Sequence, residues 1–133
     1  MYSFSKIDDS KIGSELMKQI KKEALMIHKP NFEWYCLYSG DTLLCIIAIG
    51  FRKNHYMVEA VYTPKSLRGY GFATIALKKV CEIYNKDFDI MADCLDSSVS
   101  MFKKVGFENT KSIEYKICNI HKCILKRGTI NGK

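Results

Sequence analysis

Glu59-Ala-Val-Tyr-Thr-Pro-Lys-Ser-Leu-Arg68-Gly-Tyr-Gly71-Phe-Ala73, continuing as a helical run to Lys79, is the stretch on which the reading of this chain turns. A strand pattern runs into it and a helix pattern runs out. Between them Arg68, Gly69, Tyr70, Gly71, Phe72 and Ala73 form a turn in which two glycines and an alanine let the backbone curl, so that several N–H groups point the same way. Ala73, Ala76, Leu77, Val80, Cys81 and Tyr84 then recur at helical spacing, with Lys78, Lys79 and Glu82 on the other side, which starts a helix near Gly71. Its unpaired N–H groups and positive dipole end favour a phosphate or pyrophosphate, and the Arg68 guanidinium adds to that field. The turn is not a dinucleotide fingerprint, which needs three glycines as G-x-G-x-x-G, and it lacks the Gly-Lys-Ser/Thr of a P-loop. A glycine-rich turn by itself is also compatible with binding nothing.

Working back toward the N-terminus, Tyr56 to Thr63 reads as the strand that feeds the turn, and Lys53-Asn54-His55 as the bend before it. Thr42 to Arg52 is a strand so apolar that both its faces are expected to be buried, and Ser39-Gly-Asp41 joins it to the aromatic strand Phe32 to Tyr38. Together these make an antiparallel meander. Ahead of them Ile12, Leu16, Ile20, Ala24 and Ile27 form one helical stripe with Met17 beside it, capped by Asp9 or Ser10 and ended by Pro30. Met1 to Ile7 alternates as a first strand.

Downstream of a helix over 72–84, Asp87 to Cys94 is a short strand reached by a right-handed crossover and therefore parallel to the strand before the turn. Asp96 or Ser97 caps a short helix, Ser98 to Val105, which Gly106 stops. Phe107 to Asn109, Ile113 to Asn119 and Lys122 to Lys126 finish the sheet, and the tail from Gly128 to Lys133 is expected to be loose. The class is α/β in the mixed α+β sense: a mostly antiparallel sheet of six to seven strands with helices on both faces. A central parallel pair splays to open a slot at its carboxyl ends.

A length of 133 residues predicts a single domain over 1–133. Apolar content of 47% with 26% charged residues excludes a disordered chain. The net charge of +7 is concentrated in residues 96–133, where eight basic side chains stand against three acidic ones. Such a field draws an anionic cofactor, nucleic acid or an acidic protein surface, and it also serves as a solvated face. Cys36, Cys45, Cys81, Cys94, Cys118 and Cys123 contain no C-x-x-C pair and read as reduced core residues of a cytoplasmic protein. No metal site is expected, because Cys118, His121 and Cys123 fall in a strand and its turn. The longest apolar run, Leu43 to Phe51, is far short of the roughly 20 residues that span a bilayer, so no membrane partner is expected.

Arg68-Gly-Tyr-Gly71-Phe-Ala73 is similar to the R/Q-x-x-G-x-G/A signature of the GNAT superfamily of acyl-CoA-dependent N-acyltransferases, with Val61-Tyr-Thr-Pro64 resembling its preceding strand. Ser98-Val-Ser-Met-Phe102-Lys-Lys-Val-Gly106-Phe107 resembles the family's A/S-x-x-x-Y-x-x-x-G-F segment, at the same spacing and in the same order. The resemblance covers nearly the entire chain. It implies a GNAT-like sheet, acetyl-CoA as cosubstrate, and direct transfer in a ternary complex to an amine on a small molecule, a protein lysine or an N-terminus. It places the pyrophosphate on N–H groups of Arg68, Gly69, Gly71 and Ala73, with Tyr70 and Phe72 beside them. The pantetheine arm would run along Val61, Tyr62 and Thr63 with sheet-like hydrogen bonds, and Ser98 and Phe102 would meet it from the second motif. The N–H of Val61, where the family's strand bulges, would face the acyl carbonyl.

Glu59, two residues before Val61 and so assigned to the same face, is the candidate general base, acting directly or through water; a rim carboxylate is the plainer reading. His55 has suitable chemistry but sits in a turn. The family often has a tyrosine at the place of Phe102, whose hydroxyl protonates the departing thiolate. Phenylalanine has no proton to give. Cys94, Tyr115 or a water then does so, or the thiolate leaves unassisted, or the fold is a catalytically inactive acyl-CoA-binding module. The lysine-rich C-terminal third motivates a further alternative, a nucleic-acid-directed acyltransferase of the Mom-like kind.

Overall fold

The computed structural model describes residues 1–23 and 32–130. Ala24, Ile27 and Pro30 of the first helical pattern, and the tail beyond 130, lie outside the described residues. The elements in chain order are β1 (Tyr2–Ile7), α1 (Ser14–Glu23), β2 (Phe32–Ser39), β3 (Thr42–Phe51), β4 (His55–Tyr62), α2 (Phe72–Tyr84), β5 (Asp89–Cys94), α3 (Val99–Val105), β6 (Glu108–Glu114) and β7 (Asn119–Leu125). They form one seven-stranded sheet in the order β1-β2-β3-β4-β5-β7-β6. Every neighbouring pair is antiparallel except β4 and β5, which run parallel.

Alternation along the strands sends side chains to two cores. Trp34, Cys36, Ile46, Ala48, Ala60 and Tyr62 gather with Ile12 and with Ile20 of α1. Tyr35, Ile47, Ile49, Val58 and Ile90 point the other way, into a cluster that holds Leu77, Val80 and Cys81 of α2 and Phe102 and Val105 of α3. The helices therefore cover both faces, and β3 is buried through seven consecutive residues, as its unbroken apolar run demands. No helix of the described residues is long and apolar enough to cross a membrane.

The local details depart from the sequence reading in four places. Asp8, not Asp9 or Ser10, makes the first cap: its Oδ1 accepts from Ser10 N at 3.1 Å and closes a short 3-10 turn over Asp9–Lys11. Gly13, a poor helix former, separates that turn from α1. The residue before α3 is Ser98, whose side chain makes no cap bond, so neither Asp96 nor Ser97 caps that helix. The last hairpin turns at residues 115–118, where Tyr115 N donates to Cys118 O at 2.8 Å, and not between Asn119 and Lys122. Core burial of Cys123 and Leu125 sets that register, since it carries His121 and Asn119 onto the same face and makes one strand of 119–125.

The fourth departure is the tail. Asn85, fully buried after the end of α2, draws it in: Nδ2 donates to Phe88 O, Leu125 O and Lys126 O at 3.3, 3.3 and 3.0 Å, while Oδ1 accepts from Ile130 N at 3.1 Å. Its backbone carbonyl accepts from Gly128 N at 2.7 Å. The chain through Ile130 is thus fastened to the end of α2.

Candidate active site

β4 carries the feature that opens a cavity. Its pairing with β3 runs from Ala48↔Ala60 to Ile49↔Val58, so that Glu59 is the extra residue at a register shift between these pairs. A bulge of this kind bends its strand and increases the twist. β4 pairs with β5 only from His55↔Asp89 to Val58↔Ala92, and the pairing ends where the bulge begins. Beyond that point β5 continues against β7 alone, so β4 from Glu59 onward borders an open slot. Backbone groups on such an edge need partners from outside the sheet.

This geometry corrects two expectations. The extra residue is Glu59 and not Val61. Because the bulge interrupts the two-residue alternation, Glu59 and Val61 lie on opposite faces. Val61 pairs with Ile47 and packs with the α2 side. Glu59 Oε2 instead lies 3.5 Å from where a Cβ on Gly50 would stand, next to Phe32 on the α1 side. There Arg52 Nη2 donates to Glu59 Oε2, with the Glu59 side chain 13% exposed. The arginine three residues before β4 was missed in sequence, since the bulge alone brings it within reach.

The cavity measures about 560 Å³ and is bounded by the β4 edge, the glycine turn and the start of α3. Of the residues singled out in sequence, Glu59, Val61, Tyr62, Thr63, Arg68 and Gly69 line it. Gly71, Phe72, Ala73, Ser98 and Phe102 do so as well. Tyr70 does not: it is 69% exposed and stacks on Phe72 with ring centroids 5.9 Å apart. His55 begins β4 opposite Asp89, at the other end of the parallel pair, and its Nδ1 lies 3.0 Å from Asn54 Oδ1. Neither Cys94 nor Tyr115 lines the cavity. Burial pushes the Cys94 thiol well above its ordinary range, with the Cys123 thiol adding to the shift.

At the turn, Gly69 and Gly71 have φ of 90° and 84°, a left-handed conformation that side-chain-bearing residues avoid. Gly71 precedes α2 with no side-chain cap bond, so the first N–H groups of the helix have no internal acceptor. Phe72, Ala73 and Thr74, which carry those groups, line the cavity. Arg68 is held by three contacts: Nε donates to Thr63 O at 2.8 Å, Nη2 donates to Glu23 Oε1 at 2.6 Å, and its guanidinium stands 5.5 Å from the Tyr62 ring centre. Hydrogen bonding from Gln19, and then from Arg68, holds the Glu23 carboxyl below its ordinary value. Glu23 has no sequence signature, because 45 residues separate it from Arg68.

Two further features complete the lining. Thr63 Oγ1 is buried without a hydrogen-bond partner, although the weakly polar Cys45 thiol faces it. Asp93 Oδ1, at the far side of the slot, pairs with Lys122 Nζ at 3.0 Å. On the α3 side Phe102 is buried edge-on to Phe107, with ring centroids 5.1 Å apart, and it presents no proton to the cavity. The arrangement suits an anionic group at the turn and a slender polar chain along β4, with the Glu59 carboxylate near the slot.

No family model and no curated protein matches the chain. Solved structures do. IAA acetyltransferase from Bacillus cereus ATCC 14579 aligns over 94% of this chain and 99% of its own, at 13% identity and a TM-score of 0.71. Mutant forms of the spermidine/spermine N-acetyltransferase SpeG from Vibrio cholerae align over 100% and 99%, at 7% identity and a TM-score of 0.71. A GNAT family acetyltransferase from Elizabethkingia anophelis with acetyl-CoA bound aligns over 94% and 97%, at 11% identity and a TM-score of 0.63. The seven-stranded mixed sheet with its one parallel pair and, among the described residues, three α-helices agrees with that likeness, and the chain has the GNAT fold.

Proposed function

We propose that this protein is an N-acetyltransferase that moves an acetyl group from acetyl-CoA to an amine by direct attack within a ternary complex. The observation that carries the reading is the meeting of an unpaired β4 edge with an uncapped, glycine-led helix start at one cavity. The backbone N–H groups from Arg68 to Ala73 suit a diphosphate, and Arg68 adds a cation. The edge at Val61, Tyr62 and Thr63 suits the amides of a pantetheine arm. Ser98 and Phe102 flank the arm from α3.

An amine attacks only when neutral, and an alkylamine with a pKa of about 10.4 is almost wholly protonated at neutral pH. We assign Glu59 to take that proton, directly or through water, with Arg52 fixing its carboxylate. The N–H of Val61 donates to the acyl oxygen as it gains negative charge. A nitrogen–carbon bond forms, the carbon–sulfur bond breaks, and the second proton that the nitrogen loses on becoming an amide passes to water. A thiolate with a pKa of about 8.5 can leave without an acid, which fits the absence of a proton on Phe102. The acceptor belongs to the broad class of amines; the SpeG likeness makes polyamines a first choice to assay. The five buried cysteines, all free, support a cytoplasmic location.

Calorimetric titration with coenzyme A, followed by incubation with labelled acetyl-CoA and a panel of polyamines, lysine peptides and N-terminal peptides, tests the proposal. Saturable uptake and label on an amine are expected. No heat of binding would remove the assignment, and uptake with no acetylated acceptor would favour a binding module.

A further inference from the structure

A chain of polar side chains links the sheet to the turn that carries α3. Asn109 Nδ2 donates to Ser112 Oγ at 3.1 Å, and Ser112 Oγ lies 2.8 Å from His121 Nδ1. His121 Nε2 lies 2.6 Å from Asp96 Oδ1, and Asn119 Nδ2 donates to Asp96 Oδ2 at 3.2 Å. A carboxylate only accepts, so Nε2 carries a proton toward Asp96 and a neutral ring accepts the Ser112 proton at Nδ1. Both ring nitrogens and both carboxylate oxygens are used.

Asp96 stands in the turn of residues 95–98, between β5 and α3, and its neighbours Leu95, Ser97 and Ser98 line the cavity. α3 has only seven residues, far fewer than a helix needs to hold itself together. Its buried side chains are Phe102 and Val105, and Val99 and Met101 pack in part against the same core. In the turn ahead of the helix, Leu95 O accepts from Ser98 N and Val99 N at 3.0 Å each, which closes the turn on itself. The bonds from Asp96 to His121 and Asn119 fasten it to β7.

We propose that His121 and Asp96 are positioning residues for the cofactor slot. Their bond sets the separation between the start of α3 and the unpaired edge of β4, so that Leu95, Ser97 and Ser98 close on the pantetheine arm. This rests on the coenzyme A reading above. Neither residue touches the reacting atoms. The arrangement has no counterpart in either sequence motif, because His121 meets Asp96 across 25 residues and only the register of β5 with β7 brings them together.

The test compares wild type, His121→Leu and His121→Gln by coenzyme A titration calorimetry and by the thermal midpoint without ligand. His121→Leu removes both ring hydrogen bonds; the amide of His121→Gln still donates to Asp96. Roughly fivefold weaker binding is expected for His121→Leu, with the unliganded midpoint within a few °C of wild type, because the Asp96 carboxylate is largely exposed and such a pair adds little to stability. His121→Gln is expected to recover most of the affinity. Equal affinity in wild type and His121→Leu overturns the proposal, as does a midpoint that falls in step with affinity, since the role is then one of folding. A wild-type protein that takes up no coenzyme A overturns the functional reading and this inference with it, and the wild-type titration tells that failure from the other two.

Discussion

Glu59 and Glu23 are both acidic residues of the cavity, and their surroundings give them different work. Glu59 is bulged out of β4 and held by Arg52, beside the point where the slot opens. If it accepts the proton of the amine, Glu59→Gln lowers kcat by roughly 10²–10⁴ while coenzyme A affinity stays the same. Steady-state rates beside a titration check this, and unchanged turnover removes Glu59 as the base. Glu23 holds the guanidinium that a diphosphate would use. Glu23→Gln is therefore expected to tighten coenzyme A binding by roughly fivefold, since one like charge at contact distance in water is worth about 1 kcal/mol; weaker binding in the variant would show that Glu23 supports the site.

The same ion pair carries a pH signature. Folding holds the Glu23 carboxyl below its ordinary value of 4.5, chiefly through the Gln19 hydrogen bond and then through Arg68. A group depressed in this way contributes its full stability above the ordinary value and loses it as pH falls through the folded one. Thermal midpoints measured from pH 6 downward should therefore fall more steeply in wild type than in Glu23→Gln, so that the wild-type advantage held above about pH 5 shrinks below it and the two curves approach each other.

At the scale of elements, the turn into α2 and the end of β4 act as one unit. The left-handed Gly71 leaves the helix start uncapped and open to the cavity, and a Cβ there meets nothing within 4 Å. Gly71→Glu should thus fold, at a backbone cost of about 1–2 kcal/mol for a side chain at this left-handed φ, yet bind no coenzyme A, because a carboxylate then stands over the N–H groups. Calorimetry separates this from unfolding, which circular dichroism would report. Helix α2 itself was legible from its 3.6-residue repeat, and the strands of the meander from their apolar runs. The bulge was not, because Glu59 breaks the alternation in space and leaves no mark on the residue pattern. Counting by twos from Val61 consequently put its carboxylate on the wrong face.

The whole molecule is closed by a residue that the sequence did not advertise. Asn85 ties the end of α2 to residues 125–130 through both ends of its amide, in a setting with no exposure. Asn85→Ala leaves buried carbonyls without donors and is expected to cost about 3 kcal/mol, read from the urea midpoint at constant slope. A change under about 0.5 kcal/mol would mean that water or a shifted backbone takes up the same groups. The tail looked loose because its composition is polar and glycine-containing; composition does not report a single buried amide forty residues upstream.

What the chain determines by itself is local: hydrophobic period sets helix or strand, glycines set where the backbone turns left-handed, and two spaced motifs set the order of elements around the slot. These follow from interactions among residues close in sequence, so they are visible without coordinates. What the tertiary structure alone decided is which distant groups meet, namely Glu23 with Arg68, Arg52 with the bulged Glu59, Asp96 with His121, and Asn85 with the tail. Those pairings depend on strand register and on the single residue inserted in β4, and a one-residue shift exchanges the faces of every side chain that follows.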